Sequence, residues 1–493
     1  MRLALPEERL DRPSISEVKL NVDCRDEIIP ILRGLQHLYE DVPLRQGLLR
    51  LVGKDINKTS SRKHGRRGLN YWEITVLAGV RLGCNLDYDK LQDLAENHRS
   101  LQRIMGIGDW EADEVDFDWR RIEDNLIKLR PETVKKISDL IVRAGHKLEP
   151  HAIQAVRGDT FVMETNIHYP TESSLIGDGL RKVLPLAAKL AAENGLGGWR
   201  QHKHLLKNVK KLVREIGRAS RAKGAIGKRR LEAGYRELLG LAGDLLSRTR
   251  QLLAYLTRPE QIRVMDLTAS VREQQLEHYA DLTAKVCDNA RRRVLEGETL
   301  SNGEKIFSIF EPHTELIKRG KQPNPIQFGH NVLIIEDAVG FVVEHRVVEN
   351  GVLDQDLVVP VMRELQKRFE GKIKSASFDR AFHTPENQVE LAKIVTTPCI
   401  ASKGEEKGRK QQKEGTVAFR KARQRHPGVE SEVGALQAGN GLKRCRDRSE
   451  PGYERYAALG VLGRNLHTLG KLLLARDRAN CQAATSKRKK HSA

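Results

Sequence analysis

Three acidic side chains stand where their neighbours give little reason for a surface charge. Asp159 lies inside an apolar run, Asp379 ends another, and Glu430 falls in the first turns of a predicted helix after Pro427. A single acid at the end of a strand is usually a helix cap or an ion-pair partner. Taken together, two carboxylates on strands and one on a helix predict a shared site at the edge of a sheet.

Carboxylates grouped in this way are suited to hold two divalent metal ions. Mg²⁺ prefers hard oxygen ligands, and Mn²⁺ can take its place, so Asp and Glu are expected rather than His or Cys. Two ions about 3.5–4 Å apart can activate an attacking oxygen and stabilise the leaving oxygen on opposite sides of one phosphorus. The three acids therefore predict phosphodiester cleavage with two Mg²⁺ ions as cofactors.

The elements that must position these acids have a mixed α/β pattern. A β-favouring run surrounds Asp159, and a long helical region follows it. Strands then alternate with helices: strands over 331–336, 341–348, 373–379 and 394–397, and helices over 354–369 and from Thr384 onward. The first two of these later strands form a predicted hairpin. This order predicts a mixed α/β sheet interrupted after its first strand by a helical insertion.

Residues 1 to about 150 are predicted to be helical. Asn70, with Glu73 three residues later, has the pattern of a helix cap, and a second helix is expected to start at Asp87. A basic arm precedes these helices, and its charges include Arg62, Lys63, Arg66 and Arg67. Two short helices beside such an arm fit helix-turn-helix DNA binding, and they fit a plain helical bundle with a solvated loop equally well.

The composition narrows the class of protein. The chain of 493 residues carries a formal net charge of +20, which suggests a polyanionic partner. Its six cysteines contain no CxxC pair, so neither a zinc site nor a disulfide framework is predicted. No apolar run approaches the roughly 20 residues needed to cross a bilayer, and the first residues do not resemble a signal peptide. We expect a cytoplasmic protein with no membrane partner.

A predicted helix in the insertion concentrates basic residues on one face. Steps of three and four bring together Lys203, Lys207, Lys210, Lys211, Arg214 and Arg218. The opposite face is apolar and carries Leu205, Val209, Leu212, Val213 and Ile216. A membrane-surface helix has a similar pattern but usually carries bulky aromatics, which are absent here. The pattern favours contact with a DNA backbone over a solvated or membrane-bound face.

Four stretches resemble the DDE transposases of bacterial insertion sequences: 158–175, 311–321, 378–383, and Val429-Glu430 through to Asn465-Leu466. The first reads Gly-Asp-Thr-Phe-Val-Met-Glu-Thr-Asn-Ile-His-Tyr-Pro-Thr-Glu-Ser-Ser-Leu, and the third reads Phe-Asp-Arg-Ala-Phe-His. The N-terminal helices also look like the DNA-binding domain of that family. The resemblance covers nearly the whole chain.

The resemblance implies a ribonuclease-H-like catalytic core in which Asp159, Asp379 and Glu430 are the catalytic acids and the metal ligands. It also implies binding of double-stranded DNA, both at terminal inverted repeats and at a target, by a homodimer in the bacterial nucleoid. Such enzymes hydrolyse the phosphodiester at each transposon end, and the freed 3′-hydroxyl attacks target DNA. The alternatives are a metal-dependent DNA nuclease with the same core and a catalytically inactive DNA-binding descendant.

A domain organisation follows from the resemblance and the pattern. A helical DNA-binding domain is expected over 1–150, and a catalytic domain over 151–172 and 299–475. The helical insertion is expected over 173–298, and a disordered basic tail over 476–493.

Further contacts to DNA are expected from basic residues around the catalytic domain. In some branches of the family an Arg and a Lys flank the third acid, and these positions fall here on His426 and Gln437. Lys443 or Arg444 is therefore expected to contact phosphate instead. Lys318, Arg319 and Lys321 either follow the path of a DNA strand or belong to a solvated loop.

Overall fold

The computed structural model describes residues 2–7, 13–58, 68–111, 116–257, 267–318, 325–402 and 414–491. The chain divides into two compact units. Unit 1 comprises Met1–Asn166 and His330–Ala493, and unit 2 comprises Ile167–Gly329, a wider span than the predicted insertion. Within the described ranges, no helix is both long and apolar enough to cross a membrane.

The N-terminal part of unit 1 is helical, as predicted. Its helices are α1 (Ile28–Glu40), α2 (Val42–Ile56), α3 (Tyr71–Gly83), α4 (Tyr88–Asn97), α5 (Arg99–Met105), α6 (Trp119–Leu126) and α7 (Pro131–Leu148). Asn70 begins α3 with a capping box, because its side chain accepts from the Glu73 amide at 2.7 Å while the Glu73 carboxylate accepts from the Asn70 amide at 2.8 Å. Asp87 caps α4 by accepting from the Lys90 amide at 2.9 Å. Both predicted helix starts are confirmed.

Unit 2 is built mainly from helices around its own apolar core. They are α8 (Glu172–Glu193), α9 (His202–Ala219), α10 (Gly224–Leu256) and α11 (Leu267–Ala290). Leu180, Val183, Leu245 and Leu276 are fully buried members of this core. The helical region predicted after the first strand is therefore present.

A mixed sheet joins six strands of the described chain. They are β1 (Ala155–Glu164), β2 (Glu315–Lys318), β3 (Ile326–Asp337), β4 (Val342–Val347), β5 (Ser375–Phe378) and β6 (Thr397–Ile400). The strand order is β2-β3-β1-β5-β6, with β4 beside β3. β5 is parallel to β1 and to β6, whereas β3 is antiparallel to β2 and to β4. The predicted mixed α/β sheet is confirmed.

The β3–β4 hairpin shows how local chemistry sets a turn. Asp337 Oδ1 accepts from the amides of Val339, Gly340 and Phe341 at 2.9–3.0 Å. Gly340 has a φ of +96°, a left-handed conformation that glycine adopts without steric cost. The turn that the sequence predicted over these residues is confirmed.

The remaining helices follow the hairpin. They are α12 (Asp354–Arg368), α13 (Pro385–Ile394), α14 (Val417–Arg425), α15 (Gly428–Gly434) and α16 (Glu450–His491). The predicted strand over 394–397 is misplaced, because Ile394 ends α13 and β6 begins at Thr397. Phe419 and Ala422 of α14 form a small buried cluster with Cys399 of β6.

Helix α16 differs from expectation at its C-terminal end. It continues to His491, through the span for which a disordered tail was predicted. The Ala, Arg, Gln and Lys residues of that span have high helix propensity, which the prediction underweighted against their charge.

Helix α16 also completes the core of the N-terminal helices. A Cβ on Gly34 of α1 would come within 2.7 Å of the Leu466 carbonyl oxygen, and one on Gly470 would overlap the Pro30 carbonyl. These glycines let the two backbones approach closely. The N-terminal helices, the sheet and α16 consequently share one cluster of buried apolar residues.

Candidate active site

Two of the three predicted acids occupy equivalent positions on neighbouring parallel strands. The register of β1 and β5 ends with Gly158 opposite Phe378, and Asp159 and Asp379 are the next residues. Neighbouring strands lie about 4.8 Å apart, so the two backbones carry these carboxylates side by side. Asp159 is half-buried and Asp379 is exposed. The structure therefore places the backbones of the two predicted aspartates next to each other.

Gly158 explains how β1 fits against its neighbours just before Asp159. A Cβ at this position would lie 2.5 Å from the Phe378 ring and 3.1 Å from Ile335. Any larger residue would push β1 away from β5. The close approach keeps Asp159 in register beside Asp379.

The third acid, Glu430, lies exposed in the first turn of α15, beside the fully buried Val429. The link to the aspartates is His426, which is buried and whose Nδ1 lies 3.2 Å from Ser377 Oγ. Burial and the charge of Arg423 lower the pKa of His426, whereas Asp379 and Glu430 both act to raise it. The charges of Asp379 and Glu430 therefore both act on His426.

A second glutamate of α15, Glu432, has a different role. It is 3% exposed, and its carboxylate receives two hydrogen bonds from Arg464, at 2.7 and 2.6 Å. Residues two positions apart on a helix are about 200° apart around its axis, so at most one of Glu430 and Glu432 can point into the site. The structure distinguishes the two glutamates, because Glu432 forms a buried ion pair with Arg464 whereas Glu430 is exposed to solvent.

Arg157 connects the strand of Asp159 to the segment that carries Glu430. Its Nε donates to Glu336 at 2.5 Å, and its Nη1 donates to the Arg425 carbonyl oxygen at 2.7 Å. A Cβ on Gly428, the first residue of α15, would overlap this guanidinium. Arg157 lies two residues before Asp159 and so shares its face of β1. It holds the start of α15 against that face.

Glu336 completes this buried cluster beneath the candidate site. Burial raises its pKa to about 7 in spite of the hydrogen bond from Arg157, and the charges of Glu432 and Asp337 act in the same direction as burial. At neutral pH this carboxyl is therefore divided between its protonated and charged forms.

The donor chemistry of the site suits a hard divalent cation. Asp159, Asp379 and Glu430 offer only carboxylate oxygens, the ligands that Mg²⁺ prefers. Among the described residues, no three His, Cys, Asp or Glu side chains are already arranged around a point that could hold a metal ion. The three acids fit a metal site by residue type, and Asp159 and Asp379 also fit one by backbone placement.

Another acid lies beside β1 but on the other side of the sheet. Thr160 Oγ1 donates to Asp354 Oδ2, at the start of α12, at 3.1 Å. Side chains alternate along a strand, so Thr160 and Asp159 point to opposite faces. Asp354 is therefore not grouped with the three acids.

The basic residues predicted near the third acid lie beside the end of β1. Arg444 is exposed and forms an ion pair with Glu164 at 2.9 Å. Lys443 is also exposed, and its carbonyl oxygen accepts from the Glu164 amide at 3.0 Å. Gln437 Nε2 donates to the Val162 carbonyl oxygen at 3.3 Å. Because Arg444 is already paired with Glu164, Lys443 is better suited than Arg444 to contact a phosphate.

Helix α9 of unit 2 has the two faces that the sequence predicted. Val209, Leu212 and Ile216 are buried at 2%, 7% and 2% exposure. The six basic side chains of the predicted face are all exposed: Lys203, Lys207, Lys210, Lys211, Arg214 and Arg218. In the described part of the chain, one carboxylate approaches this face, Glu215, at 3.9 Å from Lys211. The amphipathic pattern is confirmed, and contact with DNA remains a prediction.

Of the other predicted DNA contacts, Lys318 is exposed at the end of β2. Arg62, Lys63, Arg66, Arg67, Arg319 and Lys321 lie outside the described residues.

Sequence reasoning passed over Arg157, Glu336 and Arg464. A signal existed for Arg157, because a charged residue two positions before Asp159 in a strand must share its face. No local signal existed for the Glu432–Arg464 pair, whose partners are 32 residues apart.

Comparison of the chain with protein-family models, with curated proteins and with solved structures finds no match.

Proposed function

We propose that this chain is a DNA transposase that binds terminal inverted repeats and catalyses phosphodiester hydrolysis and strand transfer. The observation that carries the proposal is the register of β1 and β5, which brings the backbones of Asp159 and Asp379 side by side. The succession of strand, hairpin, helix, strand, helix and strand in one mixed sheet supports a ribonuclease-H-like core.

The chemistry follows from the three carboxylates. Asp159, Asp379 and Glu430 would hold two Mg²⁺ or Mn²⁺ ions, which when bound activate the attacking oxygen and stabilise the leaving oxygen. Burial lowers the pKa of His426, so the charged form of its ring is disfavoured. Arg157 positions Glu430 by fixing the first residues of α15 to β1.

The charge distribution supports DNA as the partner. The net charge of +20 and the exposed basic face of α9 suit a polyanion, since Lys and Arg displace counterions from phosphates. Lys318, Lys443 and Arg444 add exposed cations elsewhere. We expect the N-terminal helices and their basic arm to bind the repeat ends, and a homodimer in the bacterial cytoplasm to pair two ends.

Cleavage by the full chain tests the catalytic assignment. Asp159→Asn and Asp379→Asn should each abolish Mg²⁺-dependent nicking of DNA that carries the ends flanking the coding region. The loss should be on the order of 1000-fold, because several kcal/mol of charge stabilisation disappear. Asp124→Asn, at an exposed acid of α6, is the matched control and should cleave normally.

Strand transfer separates the proposal from its alternatives. Pre-cleaved ends supplied with Mg²⁺ and target DNA should be joined to the target by the wild-type chain. Nicking without joining would identify a nuclease. Specific end binding without either reaction would identify an inactive DNA-binding descendant.

A further inference from the structure

Parts of two of the stretches that resemble the transposases, 158–175 and 311–321, line one pocket of unit 2 and contain no candidate acid there. The end of the 158–175 stretch contributes Tyr169, Thr171 and Leu175, and the 311–321 stretch contributes Leu316. The pocket has a volume of about 140 Å³. A protein cavity of about 150 Å³ can take up benzene, so there is room for a flat aromatic ring.

Three aromatic side chains form a platform at this pocket. The rings of Tyr169 and Phe328 are 5.6 Å apart and meet edge to face at 88°, and Phe307 lies 5.5 Å from Phe328. Phe307 is 8% exposed and anchors the group, whereas Tyr169 is 72% exposed. Most of the Tyr169 ring is therefore open to a partner while its edge contact with Phe328 orients it.

Positive charge surrounds the same pocket. Arg293 and Lys305 line it, and Lys318 is close enough to affect Lys305. Partial burial and then the charges of Arg293 and Lys318 lower the pKa of Lys305. Among the described residues, the one carboxylate that lines the pocket is Glu172, which forms an ion pair with Arg293. The charge of Glu304 acts in the opposite direction on Lys305, and a phosphate beside Lys305 would reduce the repulsion from Arg293 and Lys318 further.

We propose that this pocket binds an unpaired nucleotide of single-stranded DNA, with its base stacked on Tyr169 and its phosphate beside Lys305 and Lys318. Proteins that bind single strands combine aromatic rings, on which any base can stack, with cations that follow the backbone. A peptide side chain would use the ring but not the cations, and a free phosphate would use the cations but not the ring. The inference depends on unit 2 alone and needs neither a metal nor the three acids.

The test measures binding of the full chain to two oligonucleotides without divalent metal. One is a single strand of thymidines about 8 nucleotides long, and the other is an abasic strand of the same length. The wild-type chain should bind the base-containing strand about 5- to 100-fold more tightly. Tyr169→Ala should bring this ratio close to one, and Tyr169→Trp should preserve it.

Two control variants make the test specific. Trp110→Ala removes an aromatic side chain that is 86% exposed elsewhere on the chain, and it should leave the ratio unchanged. The double variant Lys305→Gln with Lys318→Gln should weaken both strands alike. It should also lower the log–log slope of the salt dependence by about 0.7 for each phosphate that the variant no longer neutralises.

Several results would overturn the inference. They are equal binding of both strands by the wild-type chain, full discrimination by Tyr169→Ala, or an equal loss in Trp110→Ala. Competition by inorganic phosphate that abolishes binding of both strands equally would reduce the site to a free-phosphate site. Asp159→Asn should keep the discrimination. If the wild-type chain cleaved no DNA but still discriminated between the two strands through Tyr169, the transposase proposal would be refuted and the nucleotide-binding pocket would be supported.

Discussion

Asp159 and Asp379 each follow the last registered pair of two parallel strands, in which Gly158 lies opposite Phe378. Their proximity is thus a property of the backbone and does not depend on a particular rotamer. Gly158 maintains it, because a larger residue would separate the strands at the Phe378 ring.

The first prediction distinguishes Glu430 from Glu432. Glu430→Gln should lower Mg²⁺-dependent cleavage by at least about 100-fold and leave the melting temperature unchanged, because an exposed side chain loses charge but no packing. Glu432→Gln should instead lower the free energy of unfolding by up to about 3 kcal/mol, since Arg464 loses its buried partner. Its cleavage rate per folded molecule should stay near that of the wild type at low temperature. Loss of cleavage in Glu432→Gln at unchanged stability would make Glu432 the third acid.

The second prediction concerns the pH dependence of stability. The raised pKa of Glu336, about 7 against an ordinary 4.5, means that the folded chain holds this proton more tightly than the unfolded chain. Its contribution to stability is complete below about pH 4.5 and is lost as the pH rises to about 7. In Glu336→Gln, the free energy of unfolding should therefore fall less over this window, by up to about 1.4 kcal/mol per pH unit.

Denaturant titrations of both proteins at several pH values check this. Other groups also titrate in this range. Burial lowers the pKa of His345 from 6.5 to about 4, so this residue makes the free energy of unfolding rise as the pH increases between these two values. The difference between wild type and variant isolates Glu336. Parallel curves for the two proteins would show that folding does not raise the pKa of Glu336.

The third prediction tests the contact between α16 and the N-terminal helices. Gly470→Ala should lower the free energy of unfolding by about 1–3 kcal/mol, because the new methyl group would overlap the Pro30 carbonyl. Gly243→Ala is the matched control on α10, where nothing lies within 4 Å of an added Cβ. It should stabilise the helix by about 0.5–1 kcal/mol. Equal stabilities of the two variants would contradict the close approach.

The fourth prediction concerns the basic face of α9. Replacing Lys207, Lys211 and Arg214 together by Gln should weaken binding of all duplex sequences alike. It should also reduce the log–log salt slope by about 0.9 for each phosphate that these side chains neutralise in the wild type. An unchanged slope would mean that this face is only solvated.

A control of equal charge accompanies that variant. Arg363, Lys372 and Lys393 of unit 1 are each at least 61% exposed, and each already pairs with a carboxylate. Replacing these three by Gln should leave DNA binding and its salt dependence nearly unchanged. A comparable loss would attribute the effect to net charge rather than to the face of α9.

The sequence alone determined the features that depend on near neighbours along the chain. Asn70 with Glu73, Asp337 with Gly340 and the steps of three and four in α9 act over one or two turns, so residue type and spacing suffice to predict them. Residue type likewise singled out Asp159 and Asp379 at their strands.

Tertiary structure decided what depends on residues distant in sequence. Glu432 is buried and paired with Arg464, a partner that helical periodicity cannot reveal. The N-terminal helices need α16, and Tyr169 meets Phe328, only because the chain returns to these places after long intervals. Burial and ion pairing between distant segments depend on how elements pack, and a local pattern contains no information about that packing.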